Sequence, residues 1–472
     1  MNIVIIDDGV NKELLNIGKV EFDLEINQKL ELVNRKNKRK LVCSHGTVCA
    51  AIIAMYAPEA TFSSIKVISQ ETGIGMKGQL IIALKWCLDN KARLINISLG
   101  TTQYREFDDI RDIIAKLYRN GCIIVAAYDN RNIYTMPASL ECTIGVKCNP
   151  IINKRYEIIE DKYERFVVTN GKHVIKMSNN QNYISKQCNS FATPYITAVV
   201  HNILSLEYIA NLGDIWNLLS ENNSGYICNF PDFIDNAIIV NISNDEWLDL
   251  FYFHTMSVCH YSNFKIINEI NQNVYIVILI NNSYQLGSLI DNINISNNFI
   301  KGILCCCEYN DFGSSSSCSL YNRIWYESYY LKKYVVYNEI KSIDIPLIYI
   351  YGKRKLIIVL LKVLREKFIN KGYNIKIIGE FQRAYLYGFE YINNKDNRQI
   401  IIHNVYKRFD CDIIICGIDS RVIDHDEEDI CFCVKTEIQS DFIGDNYLVI
   451  NADSGVDNYA NIIFNKILTS FI

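Results

Sequence analysis

Residues 2–6, NIVII, form an unbroken apolar run closed by Asp7-Asp8-Gly9, the pattern of a buried strand ending in a turn. SHGTVCAAIIAMYAP at 44–58 predicts a helix that opens at Ser44–His45 and stops by Pro58. TFSSIKVIS at 61–69 alternates like a strand, and in KGQLIIALKWCLDNKA at 77–92 Leu80, Ile81, Leu84 and Leu88 recur with a helical period. RLINISLG predicts another strand, DDIRDIIAKLYRNG a helix stopped by glycine, and CIIVAAYDN a further strand. Strand and helix alternate over short connections, so the expected fold class is α/β, a doubly wound parallel sheet covered by helices. From about 206 to 240 the pattern weakens into SENNSG and NFPDF, a connecting segment. Alternation then resumes, with strands expected near 274–280, 300–305, 334–338, 347–351, 374–378, 412–416 and 447–451, and with GSSSSCS at 313–319 as a loop. The expected organisation is a first α/β domain at 1–205, the connector at 206–240, an α/β region of unknown role at 241–344 and a further α/β domain at 345–472.

Composition narrows the classes. The chain has 472 residues, 49% hydrophobic and 21% charged, which is the balance of a globular protein with sizeable cores. A formal net charge of -4 gives no reason to expect a nucleic-acid or anionic-membrane partner. The longest apolar runs, such as VYIVILI at 274–280, are too short to span a bilayer, and NIVIIDD at the start lacks a secretory pattern. Seventeen cysteines scattered through such a chain are expected to be reduced thiols in a cytoplasmic protein. CCC at 305–307 and CFC at 431–433 lack the paired spacing of a zinc site, so no metal or cofactor is expected.

Three stretches carry groups that chemistry can use. IIDDG places Asp7 at the end of a strand, SHGT places His45 at the start of a helix, and NSFATP places Ser190 at the start of another. Each has a bland reading: an Asp-Gly turn, a His-Gly turn, and a serine that only caps its helix. Together they are what acyl transfer by serine requires, namely a nucleophile, a base for its proton, and a carboxylate that holds the base in the right tautomer. A parallel sheet brings such element ends to one edge, and the free N–H groups at a helix start favour a developing oxyanion.

The order Asp, His, Ser and the flanking residues resemble the subtilisin-like serine proteases over roughly residues 2–205. HGTVCAAIIA is similar to that family's histidine helix, NISLG to its substrate-binding strand, VAAYDN to the segment ending in its oxyanion-hole asparagine, and NSFATP to its G-T-S-M-A-T-P nucleophile motif. The resemblance implies Asp7, His45 and Ser190 as the catalytic triad and Asn130 as oxyanion donor. It also implies Ser98, Leu99 and Gly100 as the strand that pairs with substrate, Ala126, Ala127 and Tyr128 as walls of the specificity pocket, and a cis bond before Pro137. Tyr128 stands where a small residue is common, and is read either as narrowing the pocket or as plain packing.

Departures from the family pattern bear on activity. Cys188 and Asn189 replace Gly and Thr before the serine, Asp8 stands where Ser or Thr is usual, and Asp129 replaces a glycine before Asn130. Asp129 is read as a charge near the oxyanion site, as a solvent-facing group, or as a partner for a substrate amine. Cys43, Cys49 and Cys188 flank the motifs without taking a catalytic position, and His173, His201, His254, His260, His403 and His425 are read as surface or core residues. In the second half, IPLIYIYGKRKLI faintly resembles the opening of a P-loop domain, but Gly352 and Lys353 lack the second glycine and the Ser/Thr of a phosphate cradle. The expected function is intracellular serine endopeptidase activity with limited processing of a dedicated peptide, including leader removal from a precursor peptide. The alternative is a non-catalytic peptide-binding scaffold that keeps the fold.

Overall fold

The apolar run that opens the chain is a strand buried from Ile3 onward, and it lies inside a nine-stranded sheet. The computed structural model describes residues 1–14, 19–35, 43–69, 71–160, 165–176, 182–206, 212–220, 234, 236–243, 247–259, 274–281, 299–306, 324–326, 343–392, 398–419, 430–435, 447–451 and 455–471. Two compact units divide the chain: Met1–Thr102 with Glu106–Phe233, and Gln103–Arg105 with Ile234–Ile472.

The first unit runs β1 (Asn2–Asp7), β2 (Val20–Ile26), β3 (Leu32–Asn34), α1 (His45–Tyr56), β4 (Thr61–Lys66), α2 (Lys77–Asp89), β5 (Leu94–Ile97), α3 (Phe107–Arg119) and β6 (Ile123–Ala127). It continues through β7 (Ile144–Cys148), β8 (Tyr156–Glu160), β9 (Arg165–Thr169), β10 (Val174–Lys176), β11 (Asn182–Ile184), α4 (Asn189–Leu206) and α5 (Leu212–Leu219). The large sheet has the order β3-β2-β4-β1-β5-β6-β7-β9-β8. Its interior pairings are parallel, and only the edge pairs β2–β3 and β8–β9 are antiparallel. Ile3, Ile5, Phe62, Leu94, Val125, Val146 and Val167 meet Ala50 and Ile53 of α1, Ala192 and Ile196 of α4, and Ile215 and Trp216 of α5 in one buried core. α2 and α3 pack against each other and against β1, β2 and β6. The doubly wound α/β architecture follows from strands apolar on both sides.

In the second unit, β12 (Asn236–Asn241), β13 (His254–Cys259), β14 (Val274–Leu279), β15 (Ile300–Cys306) and β16 (Ile324–Tyr326) form a parallel sheet of order β13-β12-β14-β15-β16. A second parallel sheet follows, built with β17 (Leu347–Gly352), α6 (Arg354–Asn370), β18 (Ile375–Glu380), β19 (Glu390–Tyr391), α7 (Arg398–Arg408), β20 (Ile413–Asp419), β21 (Ile430–Lys435), β22 (Tyr447–Asn451) and α8 (Val456–Phe471). Its order is β19-β18-β20-β17-β21-β22. Ile357, Leu361 and Leu364 of α6 and Ile463 of α8 close its core over Ile348, Ile350, Ile377 and Ile415. Between β17 and α6 stands Lys353 alone, so strand passes into helix with no loop long enough to wrap a phosphate.

The expected strands at 274–280, 300–305, 347–351, 374–378, 412–416 and 447–451 are present within three residues at either end. The strand expected at 334–338 and the loop at 313–319 lie outside the described residues. α5 and the first residues of β12 fall inside the stretch 206–240.

Candidate active site

β1 ends at Asp7, and the following turn runs under the start of α1. Ser44 caps that helix, its hydroxyl accepting from Thr47 N–H (3.3 Å) and lying 2.8 Å from the Gly9 carbonyl. Asp8 completes the cap: its two carboxylate oxygens accept the backbone N–H groups of Gly46 (2.8 Å) and His45 (3.0 Å). This is where a negative charge suits a helix start. Gly46 is required here, because a Cβ would fall 2.9 Å from the Gly9 carbonyl oxygen and 3.0 Å from Asp7 Cβ.

The capping turn sets Asp7 beside His45. His45 Nδ1 lies 3.0 and 2.9 Å from the two oxygens of Asp7, and the Asp8 N–H donates to Asp7 Oδ1 (2.8 Å), fixing the carboxylate. On the far side of the ring, His45 Nε2 is 3.0 Å from Ser190 Oγ. Asp7 is buried, while His45 and Ser190 remain partly open. The three residues named from the sequence are thus brought into one hydrogen-bonded row.

Ser190 is the second residue of α4, a helix that contains Pro194. Proline has no N–H to give to the carbonyl four residues back, which is that of Ser190. The thiol of Cys49 lies 3.7 Å from that oxygen, 3.5 Å from Ser98 Oγ, and 3.8 and 3.9 Å from Asp7 Oδ2 and His45 Nδ1. Cys49 follows His45 by four residues, so both face the same side of α1. The Phe191 ring stacks on the His45 imidazole at 4.7 Å, and Cys188 Sγ stands 3.2 Å from Ser190 Oγ.

Asn130 follows β6 on an exposed loop. Its Oδ1 accepts the backbone N–H of Asn189 (3.1 Å), which leaves the amide nitrogen as the group able to donate. Asp129 is held by its neighbour: its carboxylate accepts Arg131 N–H (2.8 Å) and pairs with Arg131 Nε at 3.0 Å. The Asp129 side chain is thus paired and partly exposed. Ser98, Leu99 and Gly100 prolong β5 past its last paired residue, Ile97. Gly100 runs so close to the next segment that a Cβ would lie 2.7 Å from the Met136 carbonyl oxygen, where Thr101 and Met136 exchange backbone hydrogen bonds. The Met136–Pro137 peptide is cis. Ala126, Ala127 and Tyr128 are all buried. The Tyr128 ring packs edge-on against Phe166 at 5.7 Å with the Lys147 ammonium 4.4 Å over it.

Burial by itself pulls the His45 imidazole down, whereas negative charge on Cys49 and Asp7 pulls it up and outweighs burial, so the ring is held above the ordinary histidine value. Burial pushes the Cys49 thiol up. Burial, and then the charge of Asp7, also raise Asp8.

Among the described residues, Asp7, His45 and Cys49 are the trio of metal-capable side chains whose ligand atoms lie within 4.8 Å of one another, and this is the same hydrogen-bonded cluster. Elsewhere, His173 Nδ1 meets the Tyr56 hydroxyl (3.1 Å), His201 and His403 are buried, and His254 is exposed. His260 and His425 lie outside the described residues. Among the cysteines whose side chains are described, from Cys43 to Cys416, none is in a disulfide.

Comparison with known proteins relates the first part of the chain to a known family. The model of the subtilase family matches residues 1–218. Over 211 residues the chain is 26% identical to the minor extracellular protease Epr of Bacillus subtilis, covering 42% of this chain and 31% of that protein. It is 24% identical over 179 residues to the major intracellular serine protease of the same organism, covering 34% of this chain and 56% of the relative. The chain therefore spans about a third to somewhat over half the length of these relatives. A solved cold-adapted subtilisin-like serine proteinase aligns at 18% identity with a TM-score of 0.35, covering 43% of this chain and 75% of that one. The prenylagaramide maturation protease PagA aligns at 18% identity with a TM-score of 0.34, covering 44% and 76%. Residues 1–218 are a subtilase-family segment.

Proposed function

We propose that the protein is a serine endopeptidase in which Ser190 is the nucleophile, His45 the general base and Asp7 the group that orients and charge-stabilises His45. The observation that carries this proposal is the position of one imidazole, 2.9 Å from Asp7 and 3.0 Å from Ser190 Oγ. His45 takes the Ser190 proton at Nε2 as Oγ attacks the peptide carbonyl, and Nδ1–H stays on Asp7, so the imidazolium forms beside a fixed carboxylate. The tetrahedral oxyanion is received by the Asn130 amide and the Ser190 backbone N–H. His45 then passes its proton to the leaving amine, and on return activates the water that hydrolyses the acyl-enzyme. Ser98, Leu99 and Gly100 pair with the substrate backbone as an added strand. Ala126, Ala127 and Tyr128 wall the specificity pocket beside it. No cofactor enters this chemistry.

The finer reading is limited processing of a dedicated peptide, such as a precursor that loses a leader, in a reducing, cytoplasmic setting. It is supported by the extent of the second unit, whose two parallel sheets the triad reaction does not use, and by described cysteines without disulfides. No described helix is long and apolar enough to cross a membrane. Hydrolysis of a peptide library by the full chain, followed by mass spectrometry, tests the activity. Wild type is expected to cut and Ser190→Ala to lose on the order of 10⁶-fold in kcat; equal turnover by the two would reject Ser190. A scaffold that binds peptides without cutting them would leave the library intact in both.

A further inference from the structure

Asn189 stands where the family pattern has threonine, and it is only 6% exposed. Its side-chain Oδ1 accepts the Cys148 N–H at the end of β7 (2.7 Å). Its Nδ2 lies 3.0 Å from the Tyr128 carbonyl and 3.1 Å from that of Asp129, just after β6. Its backbone N–H donates to Asn130 Oδ1, and its carbonyl accepts the Thr193 hydroxyl (2.8 Å) within α4. One residue therefore joins the start of the nucleophile helix, the end of β7 and the loop that carries Asn130.

The bond to Asn130 matters because an amide has two unlike ends. An oxygen facing a developing oxyanion repels it, while an N–H₂ group stabilises it. Holding Oδ1 on the Asn189 N–H turns the nitrogen toward the reacting carbonyl, and holding the carbonyls of residues 128 and 129 fixes the loop on which that amide swings. We propose that Asn189 is a positioning residue of the oxyanion hole, acting through Asn130. This rests on the reading of Ser190 as nucleophile and Asn130 as oxyanion donor. Threonine, with one hydroxyl, cannot make the three side-chain bonds that Asn189 makes.

A buried asparagine that only satisfied backbone groups would affect the fold but would not couple to Asn130. A double-mutant cycle separates the two. Steady-state kinetics on a chromogenic peptide are measured for wild type, Asn189→Ala, Asn130→Ala and the double variant, all as full chains, with Ser190→Ala as the blank. Asn189→Ala should lower kcat on the order of 10²-fold with KM within about twofold, as expected for a displaced transition-state donor. In the Asn130→Ala background the same change should cost less than about threefold, because the group it positions is gone. Asn189→Asp keeps the acceptor for Cys148 but has no N–H for the two carbonyls, so it should lose kcat likewise; its cycle serves if Asn189→Ala does not fold. Equal losses in both backgrounds, a rise in KM with kcat kept, or full kcat in Asn189→Asp overturns the proposal while wild-type hydrolysis leaves the peptidase reading standing. Absence of wild-type hydrolysis above the Ser190→Ala blank overturns both.

Discussion

At His45 two opposing influences meet: burial disfavours its charge, and the Asp7 carboxylate 2.9 Å from Nδ1 favours it. A protonated His45 cannot take the Ser190 proton, so activity falls as pH drops through the His45 pKa. The Asp7 carboxylate on Nδ1 raises that value, so the acid limb of kcat/KM should lie at higher pH in wild type than in a variant lacking that charge. Asp7→Asn removes the standing charge and should move the limb of the residual activity downward, at a cost of about 10⁴-fold in rate. A limb unchanged by Asp7→Asn would mean that Asp7 does not set the base. Cys188 offers a second check at this scale. Its half-buried thiol is 3.2 Å from Ser190 Oγ, close enough for an adduct there to obstruct the nucleophile. Iodoacetamide should inactivate wild type and spare Cys188→Ala; equal inactivation of the two would place the sensitive thiol elsewhere.

The elements show what the chain made legible. The strand ending in Asp7, the helix opening at His45 and the helix opening at Ser190 stand out because apolar periodicity and turn residues are local signals. Cys49 was also within reach, since it follows His45 by four residues and Pro194 leaves the Ser190 carbonyl unserved within its helix. Asp8 announced itself only as a departure, and its work as a helix cap depends on how the turn folds back. Asp8→Ala should cost about 0.5–2 kcal/mol of stability by denaturant unfolding, the range for a lost N-cap. A change within error would show that solvent serves the His45 and Gly46 N–H groups equally well. Asn189 was illegible as a tether because its partners lie 41 to 61 residues away along the chain. Tyr128 left two readings open because a strand end does not reveal which way a ring turns.

Across the whole molecule the two units invite different tests. In the second, Gly352 leads through Lys353 straight into α6, so calorimetry with ATP or GTP should show no binding; micromolar affinity lost in Lys353→Ala would contradict this. If the second unit serves recognition, the full chain should digest casein very slowly while cutting its partner at one or a few sites, and rapid unselective digestion would favour a general protease instead. The central claim is that Asp7, His45 and Ser190, drawn from three separate elements, act as one activated serine. Labelling the intact chain with a fluorophosphonate and mapping the adduct by mass spectrometry tests it most directly. The account predicts one adduct on Ser190, absent in Ser190→Ala and formed far more slowly in His45→Ala. No adduct on wild type, or an adduct on another residue, would contradict it.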